Sequence, residues 1–352
     1  MAFLNSSKPD HVAGFILSIL VLSGVAFYSL VVFWPLPEAE TPVVVKVDKG
    51  ASLKEIGDDL KMKDVITDSE TFVMATRIMG HETTIRAGVF SLTDLRSNYH
   101  IIRQLVEGTP VLHKITIPEG LSKYQIAEVF QDKLNIDSGV FLALCENSQF
   151  IKSLNIDAYS LEGFLFPDTY HFHAGETPER VIQTMVTEYH EFFDKILKSR
   201  LQIHGLTELE MVTLASIIEG EAIYDSERPL ISSVYHNRLK IGMRLQADPT
   251  IQYIIEDGPR RLLINDLKIK SPYNTYIHYG LPAGPINSPS RESLISALSP
   301  ADADYLFFVA NGEGYHTFSR TEAEHNVAKK KFQRSRRQIR SKKHAQTKDI
   351  QD

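Results

Sequence analysis

At 352 residues the chain is long enough for two or three domains with real cores, and its composition, 43% hydrophobic and 23% charged, is that of an ordinary globular protein. A net charge of -6 argues against a general nucleic-acid binder. The single cysteine, Cys145, excludes an intrachain disulfide framework and any cysteine-cluster metal site.

The first predicted element is a membrane span over 12–35. No side chain from Val12 to Pro35 is charged, and Phe15, Ile16, Leu17, Leu20, Val21, Leu22, Leu30 and Val31 dominate the stretch. A cleaved signal peptide has a shorter apolar core and a small-residue cleavage motif, whereas Phe33-Trp34-Pro35 closes this run with an aromatic pair suited to a membrane interface. Lys8 and the amino terminus precede the span and Glu38 and Glu40 follow it, which places residues 1–11 in the cytoplasm and everything after about residue 36 outside it. Residues 36–42 read as an extended Pro/Glu/Thr linker.

Val43 to Val47 is β-branched and predicts a strand, and Ser52 caps a helix carrying Leu53, Ile56 and Leu60. The arrangement recurs 70 residues later: Val47, Gly50, Ser52, Ile56 and Leu60 correspond to Ile117, Gly120, Ser122, Ile126 and Phe130. Asp68-Ser69 with Phe72 likewise matches Asp137-Ser138 with Phe141. Two copies are too few for a solenoid and predict paired strand-helix modules sharing one sheet, with a strand over 88–92 and a helix over 98–107 between them. This β-α-α-β order with a Gly-x-Ser turn resembles the glycan-binding LysM module, and residues 43–150 are assigned to such a region, with a plain spacer as the alternative.

Beyond residue 151 the character changes. Thr177-Pro178 starts an amphipathic helix running to about Leu201, and Thr207-Glu208-Leu209-Glu210 is a capping box. Ser226 to Leu239 predicts a helix, Asp248-Pro249 caps one through Ile255, and Ser288-Pro289 caps another through Leu298. Tyr305–Ala310 and Tyr315–Phe318 flank Asn311-Gly312-Glu313-Gly314 as a β-hairpin, and residues 331–352 are a helix-compatible basic tail.

Chemistry concentrates in this second half. Glu219 closes the apolar run Leu214–Ile218 and is followed by Gly220 and Glu221. Burial and the negative end of a helix dipole both disfavour ionisation there, and a carboxyl kept protonated near neutral pH is what a general acid requires. The alternative is a structural Glu219 paired with Arg228, Arg238 or Arg244. Glu221 points elsewhere on a helix, toward substrate or toward Arg228. Glu162 and Tyr170, Gln246 and Asp248, Asn274, Thr275 and Tyr276, and His316 fall in loops or on the hairpin, and such amide, phenol and aromatic groups suit a carbohydrate cleft. Gly312-x-Gly314 sits in a hairpin turn and is no nucleotide signature; His171-x-His173 lacks a nearby third ligand, so no metal or cofactor is expected.

The strings L-E-G-F-L-F-P-D-T-Y, L-A-S-I-I-E-G-E-A, N-R-L-K-I-G-M-R-L-Q-A-D-P-T, S-P-Y-N-T-Y with G-L-P-A-G-P-I, and F-F-V-A-N-G-E-G-Y-H-T-F resemble the YceG-like endolytic murein transglycosylases over roughly residues 43–330. Gly220 and Ala222 stand where members often carry larger polar residues. The resemblance implies an α+β chain: an N-terminal transmembrane helix, LysM-like modules, and a mixed α+β catalytic domain over 151–330 with a lysozyme-like Glu-centred cleft. It assigns Glu219 as acid/base; the polar residues Glu221, Gln246, Asp248, Tyr273, Asn274, Tyr276, His316 and Glu162, read from the chain itself, are expected to bind substrate around it. It further implies inner-membrane anchoring, nascent peptidoglycan strands as substrate, 1,6-anhydro-MurNAc ends as product, and penicillin-binding synthases as partners. The alternatives are a hydrolytic muramidase using Glu219 with Glu221 or Asp248, and a non-catalytic glycan-binding scaffold.

Overall fold

A computed structural model of the chain describes residues 9–36, 42–48, 50–173, 175–256 and 258–348; Lys8 and linker residues 37–41 lie outside them. The chain forms two compact units, one of Met1–Lys114 with His171–Glu176, the other of Ile115–Tyr170 with Thr177–Asp352.

In the first unit, α1 (Pro9–Val32) contains the apolar stretch Ala13–Val32, 20 residues and long enough to cross a bilayer. Residues 13–30 are exposed, but Val31 and Val32 join the globular core. The Val31 carbonyl accepts from Asn98 Nδ2 at 3.1 Å, the Phe33 ring packs on Tyr99 at 4.9 Å, and Leu36 N–H donates to the Arg96 carbonyl at 3.0 Å. The predicted linker therefore begins tied down.

Strand β1 (Val43–Val47) pairs antiparallel with β2 (Gly88–Leu92), Val45 opposite Phe90. Alternation turns Val45 and Val47 inward onto α2 (Leu53–Met62), α3 (Ser69–Ile78) and α4 (Asn98–Glu107), where Leu60, Phe72, Ile101 and Leu105 complete an apolar core. Ser52 caps α2 as expected, in a reciprocal box with Glu55, and Asp68 accepts from Thr71 N–H at the start of α3.

The second copy repeats this local chemistry. After β3 (Leu112–Thr116), Ser122 and Gln125 form a capping box at α5 (Lys123–Leu134), and Asp137 caps α6 (Ser138–Glu146), followed by α7 (Ser148–Ser153). The expected common sheet does not form. β3 pairs with β4 (Thr169–His173), so each copy gives its strand edge to a partner from outside the repeat. Because α6 packs on α8 (Pro178–Phe192), the second copy belongs to the second unit, and the compact division falls at Lys114/Ile115, within the 43–150 region.

Helix α8 starts at the Thr177 cap, passes through a π-helical turn at Phe193–Leu197 and continues as α9 (Lys198–His204), giving the expected long helix one bulge. Helix α10 (Glu208–Glu221) begins with the Thr207/Glu210 capping box and is buried on all sides from Met211 to Ile218. It is wrapped by α11 (Arg228–Lys240), α12 (Asp248–Ile254) and α13 (Arg291–Ala297). The hairpin β5 (Phe307–Ala310) and β6 (His316–Ser319) follows, with α14 (Glu322–Lys348) against it; residues 331–348 of the predicted basic tail are the far part of this helix, and 349–352 lie outside the described residues.

Two helix starts differ from expectation. Ala247 occupies the cap position of α12 with Asp248 inside the first turn, because the Asp248 carboxylate is engaged by the Tyr276 hydroxyl. Ser290, not Ser288, caps α13: Ser288 is held extended by two backbone bonds to Gly120 and Leu121, both 2.8 Å.

Candidate active site

Beyond its buried body, α10 surfaces again in its last turn, which carries both Glu219 and Glu221. Two residues apart on a helix, they leave it on roughly opposite sides, about 200° apart. Their surroundings differ accordingly.

Glu219 is enclosed by donors. Arg228 Nη1 reaches Oε2 at 2.9 Å and Nη2 reaches Oε1 at 3.3 Å, with both side chains 8% exposed. The Ser290 amide donates to Oε2 at 2.9 Å, and the Ser290 hydroxyl makes a short bond to the same oxygen. Arg228 is further held by Asp225 Oδ1 at 2.9 Å and by the Ser293 hydroxyl. The turn of the second repeat copy closes over the pair: Gly120, at φ +77°, has space for a Cβ only 3.8 Å from Glu219 Cγ. Glu219, expected as the acid, is thus in ion-pair contact with buried Arg228, the arrangement named as its alternative in the sequence. Its lone pairs are committed to a guanidinium and to the cap of α13.

Glu221 has no such cage. It does not pair with Arg228; the Tyr235 hydroxyl donates to its Oε1 at 2.9 Å. Burial pushes its carboxyl up to about 7, opposed by the Tyr235 hydrogen bond and the Arg238 charge and assisted by the negative Asp248. Burial also raises the Tyr235 phenol well above its ordinary range, so the hydroxyl stays a donor. Gly220 lets the next element approach, since a Cβ there would sit 2.6 Å from Pro249 Cβ. That contact brings the start of α12, and with it Asp248, beside the end of α10.

The other expected residues separate into two groups. Asp248 and Tyr276 join Glu221: the Tyr276 hydroxyl bonds to Asp248, and burial raises the Tyr276 phenol. Gln246 stands next to them with an exposed side chain and an unusual backbone, φ +48°. Its N–H donates to the Thr275 carbonyl at 3.1 Å, while Thr275 Oγ1 binds Ala247 N–H and Thr250 Oγ1, each at 2.9 Å. A non-glycine residue in the left-handed region costs about 1–2 kcal/mol, and such strain collects where a side chain must be aimed.

Asn274, Glu162, Tyr273 and His316 are committed elsewhere. Fully buried Asn274 donates to the Leu267 and Ile269 carbonyls at 3.1 and 2.8 Å and accepts from Tyr276 N–H at 2.8 Å. Its amide is spent on shaping the loop that presents Tyr276, so it is no direct ligand for substrate. Glu162 is buried too, accepting from Lys123 N–H and the Tyr253 hydroxyl, each at 3.0 Å, and burial pushes its carboxyl up to about 7. The half-buried Tyr273 packs its ring on Tyr253 at 5.0 Å. His316 is clamped by Glu227, through N–H to Oε1 at 2.8 Å and Nδ1 to Oε2 at 2.9 Å.

Sequence reasoning missed Tyr235 and Ser290 and named Arg228 only as one of three possible partners. None carries a local signal, because they reach α10 from 14, 71 and 9 residues away. Among the described residues no group of three His, Cys, Asp or Glu side chains could hold a metal ion, and His171 and His173 lie on β4 in the other unit.

The family model described as "YceG-like family" matches residues 45–331. An endolytic murein transglycosylase from Bacillus subtilis (strain 168) is 32% identical over 330 residues, covering 89% of this chain and 91% of that protein. Another, from Streptococcus pneumoniae serotype 2, is 30% identical and matches 91% of this chain, which spans 65% of that longer relative. A crystal structure of a YceG-like protein from Listeria monocytogenes superposes with a TM-score of 0.58 at 30% identity, covering 82% of this chain and 99% of that one.

Proposed function

Given that the chain belongs to the YceG-like family, we propose that it is a lytic transglycosylase that cuts inside peptidoglycan glycan strands, with Glu221 as its acid/base. The observation that carries the residue assignment is the contrast at the end of α10. Glu219 is locked to Arg228 and Ser290, whereas the Glu221 carboxyl, pushed up to about 7, is paired only with a phenol.

A carboxyl near 7 can both give and retake a proton at neutral pH. Glu221 donates to the glycosidic oxygen of a β-1,4 MurNAc-GlcNAc bond, the C1–O bond breaks, and positive charge develops at C1. The C6 hydroxyl of the same sugar attacks C1, and its proton passes to the Glu221 carboxylate. The 1,6-anhydro end forms without water, and proximity supplies much of the rate because the nucleophile is part of the substrate. Tyr235 holds the carboxyl in place and stabilises its ionised form between the two proton transfers. Asp248 and Tyr276, with Gln246, form the polar wall beside it.

The apolar length of α1 supports a single membrane anchor, and the LysM-type order β1-α2-α3-β2 supports a glycan-holding role for the first unit. A strand still being synthesised then fits as substrate, with a penicillin-binding synthase as neighbour. The test is digestion of uncrosslinked glycan by the full chain in detergent, with mass spectrometry of the new ends. Anhydro ends that vanish in Glu221→Gln support the reading. Reducing ends, or undiminished cleavage by Glu221→Gln, would refute it in favour of a hydrolytic muramidase or of another acid.

A further inference from the structure

Three residues beyond Glu221 the chain places an aromatic pair that none of the chemistry above uses. The Tyr224 and Tyr315 rings stack with centroids 4.1 Å apart and planes 18° from parallel. Both stay well exposed, at 39% and 41%. Tyr224 sits in the extended segment between α10 and α11, and Tyr315 precedes His316 on the hairpin.

The stack is built rather than incidental. Gly314 lies at φ +86°, and a Cβ there would fall 2.9 Å from Tyr224 Cε2, so only glycine lets the hairpin approach the ring this closely. Glu227 ties both sides: its N–H donates to the Tyr224 carbonyl at 3.0 Å, and its carboxylate takes the His316 N–H and Nδ1. Two flat apolar rings are thereby held partly in water, rigid and pre-organised, which is how aromatic residues serve as recognition platforms. Three extended residues span at most roughly 11 Å, so the Tyr224 backbone lies within one or two pyranose rings of Glu221.

We propose that the Tyr224–Tyr315 stack is a sugar-binding subsite, on which the apolar C–H face of a pyranose next to the scissile bond lies against an open aromatic face. The assignment rests on the glycan-cleaving reading of Glu221. It gives the Glu227–His316 clamp a purpose: the clamp positions the platform, and His316 acts on substrate through Tyr315 rather than by contact.

The experiment measures KM and kcat of the full chain on uncrosslinked glycan for wild type, Tyr315→Ala, Tyr315→Phe and Tyr315→Trp, with melting temperatures alongside. Loss of the ring raises KM about tenfold with kcat within about twofold, the pattern of binding energy shared by ground and transition states. Phe recovers most of the loss and Trp lowers KM below wild type. An active Tyr315→Ala enzyme with unchanged KM overturns the proposal, as does an equal loss in Ala and Phe. If Tyr315→Ala melts early, Phe and Trp decide alone, and a KM unchanged by Trp overturns it. Wild type that makes no anhydro ends refutes the lytic reading instead; the stack is then read by calorimetry of the same glycan on Glu221→Gln, with and without Tyr315→Ala, where equal affinity overturns the subsite.

Discussion

The two units differ in the charge they bury. In the first, the core of Val45, Leu60, Phe72, Phe90, Ile101 and their neighbours is apolar, and pairs such as Lys46–Asp48, Lys63–Asp59 and Arg103–Glu107 lie on the surface. The second keeps surface pairs such as Lys198–Asp194 but also buries others: Glu219–Arg228 with both side chains 8% exposed, Glu227–His316 at 7% and 11%, and Lys123 at 5% beside the exposed Glu146. Surface pairs contribute little, while buried ones cost desolvation that hydrophobic residues would not. The second unit therefore carries buried polar groups that stability alone does not require, and one of these pairs, Glu219–Arg228, sits at the end of α10. The repeat sharpens the point. Both copies share cap chemistry and a left-handed glycine, yet Gly50 faces open space and Gly120 closes over Glu219.

The largest expected effect is on catalysis. Glu221→Gln lowers kcat by about 10²–10⁴-fold, the usual worth of a positioned acid/base, and leaves the melting temperature near wild type, as read by anhydro-end formation and calorimetry. An inactive Glu219→Gln whose stability is unchanged would reverse the assignment of the two carboxylates. Next is Arg228→Met, which strands the Glu219 carboxylate and destabilises by about 3–5 kcal/mol in urea unfolding. A surface counterpart in the first unit, Asp59→Ala opposite Lys63, moves the same midpoint by only about 0.3–0.5 kcal/mol.

A third effect is on pH dependence. The Glu162 and Glu221 carboxyls, ordinarily at 4.5, stand at about 7 in the folded protein, so the native state holds extra protons between those values. Their contribution to stability is fully present below 4.5 and is lost as pH rises through about 7. Glu162→Gln should flatten the fall in melting temperature between acidic and mildly alkaline buffer, and an unaltered slope would mean that Glu162 does not titrate there. Activity should likewise fall as pH rises through the Glu221 value, because the first step needs its proton. The smallest effect is shared by the repeat copies. Gly50→Ala and Gly120→Ala, at φ +84° and +77°, each cost about 1–2 kcal/mol in urea unfolding, and kcat stays near wild type in both, because a Cβ at position 120 meets Glu219 Cγ only at an ordinary contact distance of 3.8 Å.

Much of this architecture was legible in the chain. Capping boxes at Ser52, Ser122 and Thr207 and the Thr177-Pro178 start lie where local hydrogen bonding put them. Local patterns misled where a tertiary partner competed for the same group. Asp248 belongs to Tyr276 rather than to a cap, Ser288 is drawn extended by Gly120 and Leu121, and Asn274 is consumed by its own loop.

By itself the sequence determined the apolar helix, the repeated strand-helix modules and the order of the helices in the second half, because each follows from contacts within a few residues. Only the tertiary structure separated the surroundings of the two carboxylates. Glu219 and Glu221 share a helix end and differ in sequence context by two positions. The difference is made by Arg228 and Ser290 on one side and Tyr235 and Asp248 on the other, groups that folding brings in from distant segments. A proton's affinity depends on what surrounds the carboxyl in space, and that is not a local property of the chain.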